Sequence, residues 1–349
     1  MNHVVIMAGG VGSRFWPMST PECPKQFIDV LGCGRTFIQM TYDRFKGIAE
    51  PENVWVVTSE RYAEIVHTQL PEIPKNNVLL EPCRRNTAPC IAYVSWKIKS
   101  QDPDANLVVT PSDHMVTDVI GFQKVVKDAL DFTHNNDAIV TLGMTPTRPE
   151  TGYGYIQADF TSPSLSNPNL YTVKQFKEKP DLPTAEEYLK KKEFLWNAGI
   201  FLWKAETIIQ ALRIFQPEIA EIFDGILSVY GTENEQKTIN EQFPKCPNIS
   251  VDYAILEKAE EIYVYPASFG WSDVGTYGSL STLLQKDENG NAVVGQRVDV
   301  HESSNCIIHT TDEKRVVIQG LDGYIVSEKD NTLLICKLSE EQRIKEFSE

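Results

Sequence analysis

A glycine-rich turn close to the N-terminus is the part of this 349-residue chain best suited to chemistry. The apolar residues 4–7 predict a buried strand, which ends in Ala8-Gly9-Gly10-Val11-Gly12-Ser13-Arg14. Glycines at three of four successive positions let the backbone approach a ligand closely and turn its N–H groups toward an anion. Arg14 and Lys25 add full positive charges. Such a turn is suited to binding the phosphates of a nucleoside triphosphate.

Two common phosphate-binding patterns do not fit this turn. The dinucleotide pattern Gly-x-Gly-x-x-Gly fails because position 15 is Phe, although Gly10 and Gly12 would fill its first two places. The P-loop pattern fails because the closing Gly-Lys-Ser/Thr is missing. A simple strand-to-helix turn would explain the glycines alone. It would not explain the two cations and the motif Pro24-Lys25-Gln26-Phe27, so the ligand-binding interpretation is favoured.

Further polar motifs follow predicted strands. After residues 77–80 come Arg85 and Asn86, and Asn86 could donate to and accept from a nucleobase edge while Thr87 caps the next helix. After residues 107–110 comes Asp113, which could bind magnesium or cap a helix. A second acid, Asp273, lies in a glycine-flanked loop and favours the metal interpretation, because Mg²⁺ usually takes one or two carboxylates.

Polar residues in the second half of the chain are suited to a sugar phosphate. Gly154 could let the backbone lie against a ligand, although a hairpin is the alternative. Glu178 could accept hydrogen bonds from sugar hydroxyls and Lys179 could bind a phosphate, unless they only form a charged turn. Asn197 lies in an apolar run and needs hydrogen-bond partners if it is buried. It therefore either bonds to neighbouring protein groups in a structural role or contacts a sugar hydroxyl. For Asp252, structural and functional roles are equally favoured.

Strand-like and helix-like segments alternate in the first half of the chain. The strand-like runs are residues 54–58, 77–80, 107–110 and 138–142, and the amphipathic ones are 61–70, 88–100 and 122–135. This alternation predicts an α/β fold with a Rossmann-like, mostly parallel sheet that has helices on both faces. Ligands of such sheets bind at the carboxyl ends of the strands, where the motifs above occur.

The pattern changes in the second half. Residues 184–192 and 205–240 predict helices. Beyond residue 285, short β segments alternate with turns before a final short helix, and these segments are residues 293–294, 306–309, 316–318, 324–326 and 333–337. We therefore expect a catalytic domain over residues 1–284 and a small β-rich domain over residues 285–349.

Composition limits the partners and the location. The net charge of −15 argues against a nucleic-acid or anionic-membrane surface, since both require basic patches. No signal peptide or long apolar run is present, and the 42% hydrophobic content is ordinary for a globular protein. The seven cysteines form no Cys-x-x-Cys pair, so neither a zinc ribbon nor a disulfide framework is expected, and a reducing cytoplasm is the expected location.

Together these motifs resemble those of the sugar-phosphate nucleotidyltransferases, and within that family those of the mannose branch. The resemblance runs from residue 4 to about residue 276, in the expected order. Besides the glycine turn and Pro24-Lys25-Gln26-Phe27, it rests on Arg85-Asn86-Thr87-Ala88-Pro89, Pro111-Ser112-Asp113-His114, Glu178-Lys179-Pro180, Trp196-Asn197-Ala198-Gly199 and Trp271-Ser272-Asp273-Val274-Gly275. The glycine turn alone would leave the base and the sugar open.

The resemblance implies that GMP is transferred from GTP to α-D-mannose 1-phosphate with Mg²⁺ and with release of pyrophosphate. It implies a short β-helix-like C-terminal domain and a homodimer. The implied catalytic residues are Arg14, Lys25, Asp113 and Asp273, of which Asp113 and Asp273 bind the metal. The implied nucleotide contacts are Ala8, Gly9, Gly10, Gly12, Ser13, Arg14, Lys25, Arg85, Asn86 and Asp113. The implied sugar-phosphate contacts are Gly154, Glu178, Lys179 and Asn197.

Other functions stay open at this point. The same fold could act on another sugar 1-phosphate or another base, or it could serve as a catalytically silent sensor of a nucleotide sugar. The sensor is disfavoured because the charged site residues are all present. A Rossmann-type oxidoreductase is disfavoured by Phe15. Many relatives carry a further isomerase domain, which would not fit in 349 residues, so we expect a single activity.

Overall fold

The computed structural model describes residues 1–311 and 313–348, and the chain divides into two compact units. Unit 1 comprises Met1–Gly9, Tyr42–Pro111 and Val116–Trp271. Unit 2 comprises Gly10–Thr41, Ser112–Met115 and the chain from Ser272 onward. These units are groups of residues that contact one another. They do not test the two domains that the sequence pattern predicts over residues 1–284 and 285–349, so those domains stay a prediction.

Most strands lie where the sequence pattern places them. Those of unit 1 are β1 (Asn2–Ala8), β2 (Val54–Ser59), β3 (Val78–Glu81), β4 (Asn106–Pro111), β6 (Ile139–Met144), β7 (Tyr155–Pro163), β8 (Tyr171–Lys177), β9 (Phe194–Lys204) and β10 (Ile262–Ala267). The short β5 (Met115–Val116) and β11 (Trp271–Ser272) occur where the chain passes from one unit to the other. Those of unit 2 are β12 (Ala292–Val294), β13 (Val298–His301), β14 (Ile307–His309), β15 (Val316–Gln319), β16 (Tyr324–Lys329) and β17 (Thr332–Lys337).

Most of the helices also follow the predicted segments, whereas two short helices, at Phe37–Arg44 and Tyr277–Ser281, were not predicted. They are α1 (Phe37–Arg44), α2 (Ala63–Gln69), α3 (Thr87–Gln101), α4 (Val119–Asn135), α5 (Leu182–Lys190), α6 (Ala205–Phe215), α7 (Pro217–Asp224), α8 (Glu235–Gln242), α9 (Tyr277–Ser281) and α10 (Ile344–Phe347). The stretch 205–240 holds three helices, and Pro217 begins the second because proline fits the first turn of a helix. No helix in the described parts of the chain is long and apolar enough to span a bilayer.

The main sheet of unit 1 has nine strands in the order β3-β2-β1-β4-β9-β6-β10-β8-β7. The pairings make β8 and β9 antiparallel to the other seven strands, so the sheet is mostly parallel, as predicted. Both faces are covered, because the central strands are buried along almost their whole length. The packed side chains of α3, α6 and the strands form one large apolar core.

The C-terminal part of unit 2 is a short β coil. Successive strands β12 to β16 alternate between two sheets, and β12, β14 and β16 pair in parallel while β13 pairs in parallel with β15. This winding is that of the β-helix-like domain that the resemblance implied. The antiparallel β17 ends the coil, and α10 is the short final helix. Of these strands, only β13 was not anticipated.

The coil and the N-terminal segment of unit 2 share one core. Phe15 and Phe37 pack with Val274, Tyr277 and Ile325, and all five are buried. The Tyr277 hydroxyl donates to Ser327 Oγ at 2.8 Å and lies 3.3 Å from the Phe15 carbonyl oxygen. Since Arg14 and Lys25 belong to the same segment, this core holds the region that carries the predicted phosphate-binding residues.

Candidate active site

The glycine turn of unit 2 is held by its neighbours at defined points. Gly12 has a φ of +65°, and a Cβ there would lie 2.5 Å from the Cβ of Lys25, so only glycine fits without strain. Ser19 Oγ donates to the Val11 carbonyl at 2.6 Å, and the buried Gln26 amide donates to the Gly10 carbonyl at 2.9 Å. These bonds occupy carbonyl oxygens of the turn, which is compatible with the predicted presentation of N–H groups to an anion.

Lys25 is a buried cation surrounded by groups that compensate its charge. Its side chain is 3% exposed, and Nζ lies 3.2 Å from Asp113 Oδ2 and 2.7 Å from the carbonyl oxygen of Asp273. Nζ also lies over the Phe37 ring, 4.9 Å from its centroid. Burial works against ionisation of Asp113, but the Lys25 ammonium and then His114 hold its pKa below the ordinary value. Asp113 is therefore a carboxylate at neutral pH.

The loop from Asp273 to Gly275 brings a second carboxylate and a second cation to this cluster. Asp273 Oδ1 accepts the Gly275 N–H at 3.1 Å. A Cβ at Gly275 would lie 2.6 Å from Asp273 Oδ2 and 3.3 Å from Arg14 Nη2, so both charged side chains border this glycine. Val274 between them has a φ of +45°, a strained conformation for a β-branched residue. Arg14, Lys25, Asp113 and Asp273 thus gather within unit 2.

The chemistry of this cluster fits a hard divalent cation. Two carboxylates meet the ordinary requirement of Mg²⁺, which completes its shell with waters and phosphate oxygens. No group of three or more His, Cys, Asp or Glu side chains suited to a metal occurs within residues 1–311 and 313–348, so no all-protein cage is present there. Asp113 and Asp273 could therefore supply at most part of the ligand shell of such a metal, with waters and phosphate oxygens as the other ligands.

In unit 1, Arg85 and Asn86 lie between β3 and α3. Asn86 is the N-cap of α3: its Oδ1 accepts the Thr87 N–H at 2.9 Å. The expected cap, Thr87, is instead the first helical residue, and its hydroxyl accepts the Val251 N–H at 2.8 Å. Arg85 donates from Nη2 to the Pro244 carbonyl, which ties this turn to a neighbouring loop. The Asn86 side chain is exposed, and its Nδ2 group points to no acceptor within the described residues.

Glu81, at the end of β3, is a residue that sequence reasoning did not single out. It is 8% exposed, and its Oε1 has no hydrogen-bond partner among the described residues. Burial raises its pKa to about 7, against the opposing effects of Cys90 and Arg84. Its Oε2 lies 3.8 Å from the position of a Cβ on Gly9, which ends the first segment of unit 1. Only its place at a strand end could have indicated it, because burial cannot be read from its neighbours in sequence.

The predicted sugar residues of unit 1 also come together. A Cβ on Gly154 would lie 2.5 Å from Glu178 Oε2 and 3.4 Å from the Asn197 Cβ, so this glycine makes room for the carboxylate. Glu178 is 9% exposed and pairs with Lys179, whose ammonium side chain is 60% exposed. Lys179 has a φ of +43°. A carboxylate that accepts hydrogen bonds and an exposed cation are what hydroxyls and a phosphate require.

Asn197 lies in β9 and joins this cluster to Asp252. Its Oδ1 accepts the Gly199 N–H at 3.0 Å, and its Nδ2 donates to Asp252 Oδ1 at 3.1 Å. Burial, and then repulsion by Glu178, raises the pKa of Asp252 to about 6. Asp252 begins a π-helical turn, Asp252–Leu256, and such turns occur frequently at functional sites.

The predicted site residues therefore form two groups, one in each unit. Gly10, Gly12, Ser13, Arg14, Lys25, Asp113 and Asp273 belong to unit 2, whereas Gly154, Glu178, Lys179 and Asn197 belong to unit 1 together with Arg85 and Asn86. Ala8 and Gly9 end the first segment of unit 1, and Ala8 is fully buried.

Comparison with known proteins gives the family. Residues 3–290 match the family described as Nucleotidyl transferase. The chain is 36% identical to a mannose-1-phosphate guanylyltransferase of Salmonella typhimurium over 347 residues, which cover 96% of this chain and 71% of the relative. It is 34% identical to a mannose-1-phosphate guanylyltransferase of Escherichia coli, covering 98% and 74%. The chain belongs to the mannose-1-phosphate guanylyltransferases of the nucleotidyl transferase family.

A solved structure supports the fold of this nucleotidyl transferase over its whole length. The crystal structure described as a mannose-1-phosphate geranyltransferase from Thermus thermophilus matches with a TM-score of 0.88 at 28% identity, and the match covers 99% of this chain and 98% of that one. Enzymes of the nucleotidyl transferase family generally use a divalent metal ion. The curated relatives named above are longer than this chain, which spans slightly more than seven tenths of each.

Proposed function

We propose that this nucleotidyl transferase moves GMP from GTP to α-D-mannose 1-phosphate and releases pyrophosphate. The observation that carries the proposal is the cluster of Arg14, Lys25, Asp113 and Asp273, in which two cations and two carboxylates gather beside a glycine turn. The names of the relatives supply the two substrates. A nucleotide-sugar sensor is disfavoured, because all of these charged residues are present.

The proposed chemistry is a displacement at phosphorus. An ionised phosphate oxygen of the sugar phosphate attacks the α-phosphorus of GTP, and the bond from that phosphorus to the oxygen bridging to the β-phosphate breaks. The electron pair of that bond leaves on pyrophosphate. The attacking oxygen already carries negative charge near neutral pH, so no general base is needed. This agrees with a site built from charges and backbone N–H groups, in which positioning and electrostatics supply most of the rate.

Each group of residues has a proposed role in this reaction. The backbone of Gly10, Gly12 and Ser13, with Arg14 and Lys25, binds the triphosphate and stabilises the charge that develops on the leaving pyrophosphate. Asp113 and Asp273 hold Mg²⁺, which supplies further neutralisation of phosphate charge. Glu178, Asn197 and Gly154 bind the sugar, and Lys179 binds its phosphate.

For the base, we propose Asn86 and Glu81. Guanine presents neighbouring N–H donors, and a carboxylate with two acceptor oxygens can accept both. The buried Oε1 of Glu81 without a partner is suited to this, since a buried polar atom normally has one. Guanine binding then requires the ionised carboxylate. Because the pKa of free Glu81 is raised to about 7, GTP affinity is expected to increase as the pH rises through 7.

The test is pyrophosphate release from purified protein with GTP and mannose 1-phosphate, with and without Mg²⁺. ATP, CTP and UTP, and the 1-phosphates of glucose and galactose, form the comparison panel. We expect the highest kcat/KM with GTP and mannose 1-phosphate and none without a divalent metal. A higher kcat/KM with another base or sugar would assign the same reaction to other substrates. GDP-mannose binding without turnover at saturating Mg²⁺ would contradict the enzyme assignment.

The remaining proposals concern the surroundings of the enzyme. We propose a cytoplasmic location, which agrees with seven free cysteines. We propose a homodimer, for which the exposed apolar side chains of the β coil are the support. The negative net charge agrees with small-molecule substrates rather than nucleic acid.

A further inference from the structure

One short segment of unit 1 contacts two of the candidate binding regions. In the segment 249–252, the Ile249 carbonyl accepts the Ala88 N–H at 3.1 Å, and the Val251 N–H donates to Thr87 Oγ1 at 2.8 Å. These bonds tie the segment to the first turn of α3, directly after Asn86. At its other end, Asp252 contacts Asn197 of β9. The segment therefore fixes Asp252 against the strand that carries the predicted sugar contact.

The Gly199 N–H and the Asp252 carboxylate together fix the orientation of the Asn197 amide. The Gly199 N–H can only donate, so the group facing it at 3.0 Å must be Oδ1. Thr141 Oγ1 lies 3.3 Å from the same oxygen. Nδ2 therefore faces Asp252, and one of its two hydrogens is used there. The second hydrogen has no acceptor within the described residues and is available to a ligand oxygen.

The surroundings of Asp252 suit a ligand with several hydroxyl groups. Glu178 faces it from the end of β8 and Lys179 follows on the same loop, while Ser250 comes from its own segment. Both carboxylates are partly buried, which limits their contact with water. Keeping two such acids together is costly without a ligand that donates to them. Sugar hydroxyls provide these donors without adding charge.

We propose that Asp252 is a positioning residue for the sugar: it holds the Asn197 amide so that one N–H points to a sugar oxygen. Beside Glu178 it completes the set of acceptors around the sugar. This inference rests on the proposed function, because it takes Gly154, Glu178 and Asn197 as the sugar contacts. The sugar phosphate, and not GTP, is therefore the substrate whose binding depends on Asp252.

The decisive comparison is between Asp252→Ala and Asp252→Asn. The alanine variant leaves the Asn197 N–H without its acceptor, so we expect the KM for mannose 1-phosphate at pH 7.5 to rise about tenfold or more. The KM for GTP should change less than twofold. The asparagine variant keeps an acceptor oxygen and should recover part of the loss.

The pH profile separates a charged acceptor from a merely space-filling residue. Above pH 6 the Asp252 carboxylate is ionised and accepts a stronger, charge-assisted bond from the amide. The ratio of kcat/KM for mannose 1-phosphate, wild type over Asp252→Asn, should therefore be near one at pH 5.5 and increase severalfold by pH 7.5. The phosphate of the substrate titrates in the same range, but it does so equally with both enzymes and cancels in the ratio.

Asp128→Ala is the matched control. Asp128 accepts a bond from Asn167 Nδ2 at 3.0 Å, the same type of Asp–Asn contact, but none of the proposed site residues is among its partners. Its KM for mannose 1-phosphate should stay within twofold of wild type. Thermal unfolding of each variant checks that the comparison concerns folded protein. If Asp252→Ala does not fold, the pH dependence of the kcat/KM ratio between wild type and Asp252→Asn still tests the proposal.

Three results would overturn the inference. They are a KM for mannose 1-phosphate that changes less than threefold in Asp252→Ala, an equal rise in the KM values for mannose 1-phosphate and GTP, and a kcat/KM ratio of wild type over Asp252→Asn that stays flat between pH 5.5 and 7.5.

Calorimetric titration with GDP-mannose gives a readout that does not need turnover, and Asp252→Ala should bind at least about fivefold more weakly. Wild-type protein without activity on mannose 1-phosphate would count against the proposed function. An active wild type with an unaffected Asp252→Ala would remove the present inference alone.

Discussion

At the scale of single residues, the buried Lys25 is the clearest sign of an active site. A lysine with a 3% exposed side chain is stable only when its charge is compensated, and here Asp113, the Asp273 carbonyl and an aromatic ring do so. Ordinary structural lysines stay at the surface. Asp113 is the carboxylate that pairs with Lys25, and Asp273 contributes a carbonyl oxygen. A bound polyphosphate would add further negative charge next to this lysine.

Removal of the Asp113 carboxylate should affect turnover and stability together. We expect Asp113→Ala to lower kcat about 10²-fold or more, since it deletes a proposed metal ligand. It should also lower the Tm, because Lys25 loses its charged partner. Magnesium-dependent pyrophosphate release and thermal unfolding measure the two effects. Asp299→Ala, which removes an ion-paired carboxylate at the surface of unit 2, should change neither appreciably. Unchanged kcat in Asp113→Ala would contradict the assignment.

Asp252 should reduce stability at neutral pH. Its pKa is raised to about 6 in the folded protein, from 3.8, so ionisation is harder in the folded state. The cost is absent below about pH 4 and complete above about pH 6. Asp252→Asn should therefore increase the free energy of unfolding by about 1–3 kcal/mol at pH 7.5, and by less at pH 4.5. Urea unfolding at both pH values measures this.

Asp128→Asn should change the free energy of unfolding in the opposite direction. Burial alone would raise the pKa of Asp128, but bonds from Asn167, Tyr265 and Asn169 lower it below the ordinary value. This carboxylate stabilises the fold above its unfolded pKa, and the contribution is lost as the pH falls through the folded pKa. Its removal should therefore lower stability at pH 7.5. If Asp252→Asn were also less stable at that pH, the burial argument for Asp252 would be wrong.

At the scale of elements, the glycine turn depends on one position much more than on its neighbour. Gly12 has a positive φ, and a Cβ there would lie 2.5 Å from the Cβ of Lys25, whereas a Cβ on Gly10 would meet no described atom within 4 Å. We expect Gly12→Ala to lower the Tm by several degrees and Gly10→Ala to leave it within about one degree. Differential scanning calorimetry without ligands makes the comparison, so that nucleotide contacts play no part. Equal Tm values for the two variants would contradict the packing argument.

The sequence pattern predicted the strands in the first half of the chain, but it did not predict β7 and β9 of the same sheet, and it placed the ends of the elements less well. The strands β1, β2, β4 and β6 were predicted because continuous apolar runs are typical of strands buried on both faces. The N-cap of α3 was misplaced by one residue, because Asn86 and Thr87 both have side-chain acceptors and only the backbone conformation selects between them. The strand β13 was missed because its polar residues alternate with valines over only four positions.

The candidate site could be predicted only where charge and motif coincide. Lys25, Asp113 and Glu178 stood out by type and spacing, and the structure gives each an interacting partner. Glu81 and Asp252 did not stand out as carboxylates with raised pKa values, because that property comes from burial by residues distant in sequence. The residue assignments themselves stay predictions until variants are measured.

At the scale of the whole molecule, exposed apolar side chains of the C-terminal coil support the proposed homodimer. Val317 of β15 and Leu333 and Ile335 of β17 are each more than half exposed. We expect Ile335→Lys to convert the proposed dimer to a monomer, measured by light scattering after gel filtration. Ile120→Lys, at an exposed apolar residue of α4, is the control and should leave the mass unchanged. A monomeric wild-type protein would contradict the dimer.

The order in which the ribosome makes this chain has a consequence for unit 2. Its glycine turn belongs to the first forty-one residues, yet Phe15 and Phe37 are covered by Val274 and Ile325, which are synthesised last. Contacts of such large sequence separation form late, because the connecting chain must first be closed. The nascent protein therefore carries an uncovered aromatic segment for most of its translation. Early termination upstream of residue 272 should yield aggregation or proteolysis rather than a partly active fragment.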